Sequence, residues 1–324
     1  MKILIYGAGV LGTLYAARLQ DSGQDVSLVA RGQRLADLRQ HGLVLENMIG
    51  GDQTVSCVRI IEHVNDEDNY DLAIVLMRKN QVATVLPILA NCRKIPTILF
   101  MHNNAAGPDA MVNALGRGRV LLGFPGAGGT LENHVVKYAL VPQQATTLGE
   151  VDGQITPRLR QVADVFSNAG FAVQMSTQMD AWLKTHVAFV TSICGALYRC
   201  GCDPRVLANM PGSLSLMVSA IREGFAVLHA LKVPVRPLKL RWLFEWMPRV
   251  VPVAYWRKYF NTSMADYALA RHARAAGDEM KAIADEFRTL VRASSVSTPA
   301  LDQLYSHIDE YAAGTGRTRV SPAL

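Results

Sequence analysis

The chain has 324 residues, of which 50% are hydrophobic and 19% are charged. This length exceeds one ordinary hydrophobic core, so two domains are expected, and the composition excludes a disordered protein. The formal net charge of +6 suits an anionic ligand, but the basic residues are dispersed and accompany no nucleic-acid-binding motif. No apolar run is long enough to span a bilayer and no signal peptide is recognised, so a cytoplasmic protein is expected.

The cysteines are odd in number and scattered through apolar stretches, which favours buried thiols over a disulfide framework. They are Cys57, Cys92, Cys194, Cys200 and Cys202. No metal site is predicted, because Cys200 and Cys202 lack a second Cys or His pair at ligand spacing.

Short β-rich runs alternate with helical stretches up to about residue 175, a pattern typical of βαβ units around a parallel sheet. Residues 2–6 are predicted to form a buried strand, residues 10–22 a helix that ends near Gly23, and residues 26–30 the next strand. Further strands are predicted at residues 72–77, 97–101 and 120–124.

Strand signals fade beyond about residue 175. Residues 181–198 and 278–291 have helical spacing with few breakers, and the residues after Gly314 are predicted to be a frayed tail. The predicted fold class is therefore α/β, with a Rossmann-type doubly wound sheet over residues 1–175 followed by an all-helical carboxy-terminal domain over residues 176–324.

A dinucleotide-binding fingerprint, Gly7-Ala8-Gly9-Val10-Leu11-Gly12, follows the first predicted strand and opens the first predicted helix. In such a loop Gly7 permits the tight turn, Gly9 lets the backbone approach a pyrophosphate, and Gly12 allows close helix packing. The amino-terminal amides of the helix, from Val10 and Leu11 onward, face the phosphates. The pattern alone is weak, but this context favours a nicotinamide dinucleotide site.

The end of the next strand distinguishes NAD from NADP. An acidic residue there would bind the ribose 2′-hydroxyl, but the chain has Arg31 after Ala30, and Asp25 lies at the wrong end of the strand. A guanidinium can hold a 2′-phosphate through charge-assisted hydrogen bonds. NADPH or NADP+ is therefore the predicted cofactor and Arg31 its main selective contact, whereas Arg34 is interpreted as a solvated surface residue.

The chain resembles the ketopantoate reductases, NADPH-dependent 2-oxoacid reductases of the pantothenate pathway. The resemblance rests on the fingerprint, on Ala30-Arg31-Gly32 and on the order of Met77-Arg78-Lys79-Asn80-Gln81, His102-Asn103-Asn104, Gly123-Phe124-Pro125, Trp182-Leu183-Lys184 and Asp278-Glu279. It implies an NADP(H)-binding domain over residues 1–175 and a helical substrate or dimerisation domain over residues 176–324. It also implies an active site in the cleft between them, and a homodimer.

Three residues are assigned to the cofactor pocket by this resemblance. Arg78 stands in the position of a family lysine and Gln81 is retained, after the strand predicted at residues 72–77. Asn103 matches the asparagine of a Gln-Asn-Gly turn and is expected to contact cofactor ribose or substrate. Asn104 replaces the glycine of that turn and is expected to adopt its positive φ.

The catalytic residues are likewise implied by the resemblance. Lys184 is the proton donor by position, and Glu279 is expected to hydrogen-bond a substrate hydroxyl and to pair electrostatically with that lysine. Lys184, Ala188 and Ser192 share one face of a helix. The family places asparagines at the two later positions, so Ala188 and Ser192 imply a smaller, less polar wall, with Ser192 as the remaining substrate contact.

Ser263 resembles a family serine that binds the substrate carboxylate. Its spacing to Glu279 is longer than the family pattern by about one helical turn, roughly 5.4 Å, so one of the two contacts is displaced unless a loop absorbs the insertion. Asp266, Asp278 and Arg274 are possible substitutes, each more typical of a surface.

Two further features leave alternatives open. An aromatic and basic segment at residues 238–260 has no counterpart in the family, and could be core packing, a dimer contact, a substrate lid or an interfacial membrane-binding helix, with the membrane least favoured. His102, His186 and His272 are candidates for auxiliary proton transfer, although single histidines usually serve structure or surface.

The leading interpretation is an NADPH-dependent reductase that converts a 2-oxoacid to a 2-hydroxyacid. One alternative is a catalytically silent NADP(H)-binding or sensing protein. Another is an opine-type dehydrogenase with a larger substrate, suggested by the small side chain of Ala188.

Overall fold

The computed structural model describes residues 1–141 and 144–314, apart from the side chain of Ala268. Over these residues the chain forms two compact units. The first contains Met1–His102 and Gly107–Met179, and the second contains Asn103–Ala106 and the chain from Asp180 onward. The tail predicted after Gly314 lies outside the described residues.

The first unit contains all the strands assigned in the described residues. In chain order they are β1 (Lys2–Tyr6), β2 (Asp25–Val29), β3 (Leu43–Asn47), β4 (Gln53–Ser56), β5 (Arg59–Ile61), β6 (Leu72–Val75), β7 (Ile98–Met101), β8 (Val120–Phe124), β9 (Ala127–Glu132), β10 (Val135–Leu140), β11 (Thr146–Glu150) and β12 (Val173–Met175).

Eight strands form the main sheet, in the spatial order β12-β11-β8-β7-β6-β1-β2-β5. Neighbours are parallel throughout, except that β11 runs antiparallel to β8. Chain order reverses between β1 and β6, since β2 lies on one side of β1 and β6 on the other. Ligands of doubly wound sheets bind at such a switch point, beyond the carboxyl ends of the strands.

Helices and one 3₁₀ turn connect these strands. They are α1 (Val10–Asp21), α2 (Gly32–His41), α3 (Lys79–Val82), α4 (Leu86–Asn91), α5 (Asp109–Leu115), the 3₁₀ turn Arg117–Arg119, and α6 (Pro157–Asn168). Tyr15 on α1 stacks on Phe171 with ring centroids 4.2 Å apart, and both rings lie in the core beneath the sheet. The predicted Rossmann-type fold is confirmed.

A second, four-stranded sheet was not predicted. Its order is β4-β3-β10-β9, with β3 parallel to β10 and the other pairs antiparallel. Cys57 follows the edge strand β4 and is exposed, so the prediction of a buried thiol is wrong there, because an edge strand lacks a covering neighbour on one side. The other four cysteines are buried.

In the described residues the second unit contains helices and no strand, as predicted. Its elements are α7 (Met179–Arg199), α8 (Pro204–Asn209), α9 (Ser213–Ala230), α10 (Leu238–Arg241), a π-helical turn (Trp242–Trp246), α11 (Val250–Phe260), α12 (Ser263–Ala265), a second π-helical turn (Asp266–Ala270), α13 (Arg271–Ala275), α14 (Gly277–Ser294) and α15 (Pro299–Ala312). No helix in the described part of the chain is long and apolar enough to cross a membrane.

Helix α7 lies in the core of this unit. A Cβ built on Gly195 would lie 2.7 Å from the Leu304 carbonyl oxygen, so only glycine permits this approach of α15. The buried hydroxyls of Thr191 and Tyr305 share a hydrogen bond of 2.8 Å between the same two helices. Within the segment 238–260, Phe244, Trp256 and Phe260 belong to this core, so core packing accounts for part of that segment.

Candidate functional site

The loop after β1 places its three glycines in three different environments. Gly7 has φ +118°, and a Cβ built on it would lie 2.5 Å from the Leu76 carbonyl oxygen. A Cβ on Gly12 would lie 1.7 Å from the Gly7 carbonyl oxygen, whereas a Cβ on Gly9 would meet nothing within 4 Å. The loop is therefore tight at Gly7 and Gly12 and open over Gly9, which is the arrangement that a pyrophosphate requires.

Helix α1 begins at Val10, directly after this open position. No side chain caps its first turn, and the turn contains no acidic residue. The amides of Val10 and Leu11 lie where helical N–H groups lack an intrahelical acceptor, at the positive end of the helix dipole. The loop and helix start thus form a site suited to an anionic phosphate.

Arg34 on α2 holds the glycine loop. Its Nε donates to the Ala8 carbonyl oxygen and its Nη2 to the Thr13 hydroxyl, each over 3.0 Å. Burial lowers the pKa of Arg34. The interpretation of Arg34 as a solvated residue is wrong, because α2 packs so that its first turns reach the loop, a long-range contact that local sequence does not reveal.

Arg31 immediately precedes α2 and is exposed, at the carboxyl end of β2. Its Nη2 donates to the Tyr6 hydroxyl over 3.2 Å. Burial raises the pKa of Tyr6, and the Arg31 cation partly offsets this rise. The Arg31 guanidinium is thus held at the end of β1 by one hydrogen bond, while the side chain stays accessible to solvent.

The Arg78 stretch lies beside the glycine loop. Met77 Cγ would be 3.0 Å from a Cβ built on Gly7, which places the chain after β6 next to the end of β1. Arg78 is half-buried and directly precedes α3, and Gln81 is exposed on that helix. The residues predicted from the sequence to bind cofactor in this unit therefore lie around one switch point.

In the second unit, Lys184 lies near the start of α7 with its side chain 15% exposed. Its Nζ donates to Asp180 Oδ2 over 2.5 Å. Asp180 holds the ammonium group at a fixed place on the helix. Asp180 was not predicted from the sequence, although an acidic residue four positions before a lysine is a recognisable signal.

Ala188 lies one turn further along α7 and is fully buried. Gly224 of α9 approaches it so closely that a Cβ built on Gly224 would lie 3.0 Å from the Ala188 Cβ. The short side chain thus permits a close contact between two helices. The expectation that it opens room for a larger substrate is wrong at this position, and the opine-type alternative loses the observation that suggested it.

Ser192 is also fully buried, and its Oγ donates to the Ala188 carbonyl oxygen over 2.8 Å. The hydroxyl is therefore already engaged within α7, and its role as a substrate contact stays a prediction.

Asn103 and Glu279 are brought together in the second unit. Asn103 Nδ2 donates to Glu279 Oε1 over 3.1 Å, and both residues are buried. Two turns further along α14, the carboxylate of Glu286 accepts from the amides of Ala105 and Ala106 over 3.0 and 3.2 Å. Glu286 was missed by the sequence analysis, although its seven-residue spacing from Glu279 places both on one face of the helix.

Asn104 departs from its expected conformation. The positive-φ residues of the described chain include Gly107, with φ +87°, but not Asn104. The positive φ expected at Asn104 is therefore wrong, and the amides of Ala105 and Ala106, which follow it, donate to the Glu286 carboxylate.

Ser263 is exposed at the start of α12 and lines a cavity of about 530 Å³. Arg274 and Asp266 also line this cavity, but Lys184 and Glu279 do not. Burial opposes ionisation of Asp266, yet hydrogen bonds from Arg274 and Arg271 hold the pKa of its carboxyl below the ordinary value. The π-helical turn Asp266–Ala270 lies between Ser263 and Glu279, the two residues whose spacing is longer than the family resemblance predicts.

Among the histidines considered from the sequence, His186 has a strongly lowered pKa. Its ring stacks on Trp182 at 5.3 Å. Burial, with His272 nearby, lowers the pKa of His186 to about 3, which disfavours the charged imidazolium form of this side chain.

This shift predicts a pH dependence of stability. The pKa of His186 in the folded protein lies below its value of about 6.5 in the unfolded chain. The stability that this residue contributes is therefore fully present above pH 6.5 and is lost as the pH falls towards 3. The free energy of unfolding should fall by at most about 1.4 kcal/mol per pH unit from this group. Urea unfolding of His186→Phe should show a shallower fall, whereas the exposed His63→Gln should match the parent chain; equal slopes for all three would contradict the assignment.

The main sheet, its switch point and the glycine loop have the arrangement of Rossmann-type dinucleotide-binding domains. The family described as Ketopantoate reductase PanE/ApbA matches residues 3–153. A 2-dehydropantoate 2-reductase from Archaeoglobus fulgidus is 28% identical over 201 residues, 60% of this chain and 64% of that protein, so slightly less than two thirds of the relative is covered. Residues 3–153, slightly less than half of the chain, therefore match a domain of the ketopantoate reductase family.

Solved structures show the same fold over nearly the whole chain. A PanE/ApbA family ketopantoate reductase from Ralstonia eutropha JMP134 has a TM-score of 0.75 at 18% identity, covering 97% of this chain and 99% of that one. D-mandelate dehydrogenase with NADH and anilino(oxo)acetate has a TM-score of 0.78 at 17% identity, covering 98% of this chain and 100% of that one.

Proposed function

We propose that this chain reduces a 2-oxoacid to a 2-hydroxyacid with NADPH. In this proposal Lys184 donates the proton to the developing alkoxide, Glu279 positions the substrate and Arg31 selects the cofactor. The hydrogen bond between Asn103 and Glu279 carries it. It joins two residues 176 positions apart that the family resemblance independently assigns to substrate or cofactor.

The first unit fits the cofactor. The open surface over Gly9 gives the pyrophosphate room, and the start of α1 offers N–H donors without a competing acid. No acidic residue stands at the end of β2, and Arg31 follows it, which favours a 2′-phosphate. Bound NADPH would supply the hydride, and the protein residues would orient and protonate the substrate.

The second unit supplies the acid–base residues. Asp180 fixes the Lys184 ammonium group, which limits the conformational freedom of a proton donor before substrate arrives. The buried Glu279 carboxylate accepts a hydrogen bond from Asn103, which holds the carboxylate in a defined orientation for substrate.

The substrate is proposed to be less polar than ketopantoate. Ala188 offers no hydrogen-bonding group and Ser192 donates within its own helix, so a substrate hydroxyl would lack the partners that the family asparagines supply. Sites that leave substrate polar groups unpaired discriminate against them. D-mandelate dehydrogenase, a structural neighbour, was solved with anilino(oxo)acetate, which makes aryl 2-oxoacids sensible candidates here.

The test follows NADPH absorbance with ketopantoate and with branched aliphatic and aryl 2-oxoacids. Turnover is expected with at least one 2-oxoacid, and the branched or aryl compounds should exceed ketopantoate in kcat/KM by about tenfold or more. NADPH binding without turnover of any compound would contradict the proposal and favour the silent NADP(H)-binding protein. The homodimer implied by the family resemblance belongs to the same proposal and is tested by sedimentation.

Arg31→Ala tests the cofactor assignment. Losing a charge-assisted hydrogen bond to a 2′-phosphate should raise KM for NADPH by about tenfold to a hundredfold and leave KM for NADH nearly unchanged. Arg39→Ala is the matched control, because Arg39 lies on α2, the helix that Arg31 precedes, in an exposed ion pair with Glu62. An equal loss for both cofactors in Arg31→Ala would refute its selective role.

A further inference from the structure

The segment 236–258 exposes large apolar side chains to solvent. Leu238, Trp242 and Trp246 follow one another at four-residue spacing on α10 and the π-helical turn, and the two tryptophans are 49% and 57% exposed. Residues at this spacing lie on one face of a helix. Arg241 stacks on Trp246, with 5.3 Å from its guanidinium carbon to the ring centroid.

Helix α11 continues this surface with two contrasting faces. Pro252, Trp256 and Phe260, at four-residue spacing, are buried in the core. Val250, Val251 and Tyr255 are exposed, with Val250 at 72%. Burial of one apolar face therefore leaves a second apolar face that the fold does not cover.

Most of the net charge of the chain lies in the same segment. Residues 236–258 contain six basic residues and one acid, a net +5, while the whole chain carries +6. The single acid, Glu245, is already paired with Arg241 over 2.9 Å and with His229 over 2.7 Å. Lys239, Arg249, Arg257 and Lys258 are all exposed around the apolar side chains.

Polar contacts fix this surface on α9. Arg249 Nη2 donates to the Ser215 carbonyl oxygen over 2.8 Å and to the Ser219 hydroxyl, at the corner between the π-helical turn and α11. Arg222 Nη2 donates to the Met247 carbonyl oxygen over 2.8 Å at the same corner. The exposed tryptophans thus belong to a fixed part of the unit.

The charge of the segment decides between its possible occupants. A second copy docked on the same face would bring a net +5 against a net +5, which disfavours a symmetric dimer through it. Exposed tryptophan, tyrosine and valine ringed by lysine and arginine are instead typical of interfacial segments, whose aromatic rings enter the headgroup region while their cations meet anionic lipid. We propose that residues 236–258 bind the surface of an anionic lipid bilayer.

The test uses the full chain with vesicles of phosphatidylcholine alone or with about a third phosphatidylserine. The chain should co-sediment with the anionic vesicles at low salt and release from them at about 1 M salt, where the screening length is near 3 Å. Trp182 and Trp256 are buried, so a blue shift of tryptophan fluorescence on binding should come from Trp242 and Trp246.

Two variants separate the apolar and charged contributions. Trp242→Ser with Trp246→Ser, and Arg257→Glu with Lys258→Glu, should each lower the vesicle partition coefficient by about tenfold or more. The control pair Ile49→Ser with Val55→Ser removes equally exposed apolar side chains from the first unit and should leave partitioning unchanged.

Three results would overturn the proposal. The first is that the chain does not bind anionic vesicles, and the second is that it binds neutral vesicles equally well. The third is that the parent chain is a dimer that dissociates when Trp242 and Trp246 are replaced by serine, while neither the parent chain nor this variant binds vesicles. None of these measurements requires reductase activity, so the test of membrane binding is independent of the proposed reaction.

Discussion

Replacing Gly12 by alanine is expected to lower the free energy of unfolding by about 3 kcal/mol, because the new Cβ would lie 1.7 Å from the Gly7 carbonyl oxygen. The atom that the new Cβ would meet belongs to the backbone rather than to a flexible side chain, so β1 and α1 must move apart. Chemical unfolding followed by circular dichroism measures the loss, which should be accompanied by loss of NADPH binding.

Gly9→Ala is the matched control within the same loop. Nothing lies within 4 Å of its built Cβ, so the protein should fold with nearly unchanged stability. The methyl group would instead occupy the surface that the cofactor pyrophosphate approaches, and NADPH affinity should fall by about tenfold or more. Unchanged NADPH affinity in Gly9→Ala would contradict the assignment of this loop to the pyrophosphate.

Lys184→Ala is expected to lower kcat by about a hundredfold to ten-thousandfold, the range typical of a lost general acid. The structural cost should be small, since an ion pair four residues apart on a helix contributes only about 0.2–0.5 kcal/mol. Steady-state kinetics with the best 2-oxoacid of the panel gives the measurement.

Lys281→Ala controls for the loss of such a pair. Lys281 Nζ donates to Asp285 over 2.5 Å, at the same four-residue spacing and distance as between Lys184 and Asp180, and it also lies 3.5 Å from Asp309. Lys281→Ala should therefore cost at least as much stability as Lys184→Ala. Only Lys184→Ala should lose turnover. Comparable activity in the two variants would remove Lys184 from the reaction.

Elements with strong local patterns were predicted closely. The observed strands Lys2–Tyr6 and Val120–Phe124 match the predicted bounds, because buried aliphatic runs next to glycine are strong signals. The four-stranded sheet was missed because β9 contains Gly128 and Gly129, which have weak strand propensity. A Cβ on Gly129 would lie 2.3 Å from the Lys137 carbonyl oxygen, a pairing constraint that local sequence does not show.

In the candidate site, too, features set by local sequence were predicted and features set by distant contacts were not. The roles of the fingerprint glycines follow from one loop and were available from the sequence. Contacts between distant segments were not, which is why Arg34 was interpreted as a surface residue and Glu286 was missed. The sequence shows only that the side chain of Ala188 is small. The close approach of Gly224 shows that α9 occupies the space beside this small side chain.

Transfer of deuterium from NADPH labelled at the reactive C4 position tests the central claim most directly. The account predicts that the 2-hydroxyacid product gains one deuterium at C2, detected by mass spectrometry, and that Lys184→Ala slows this transfer. Tight NADPH binding with no deuterium in any 2-hydroxyacid would contradict the proposed reductase.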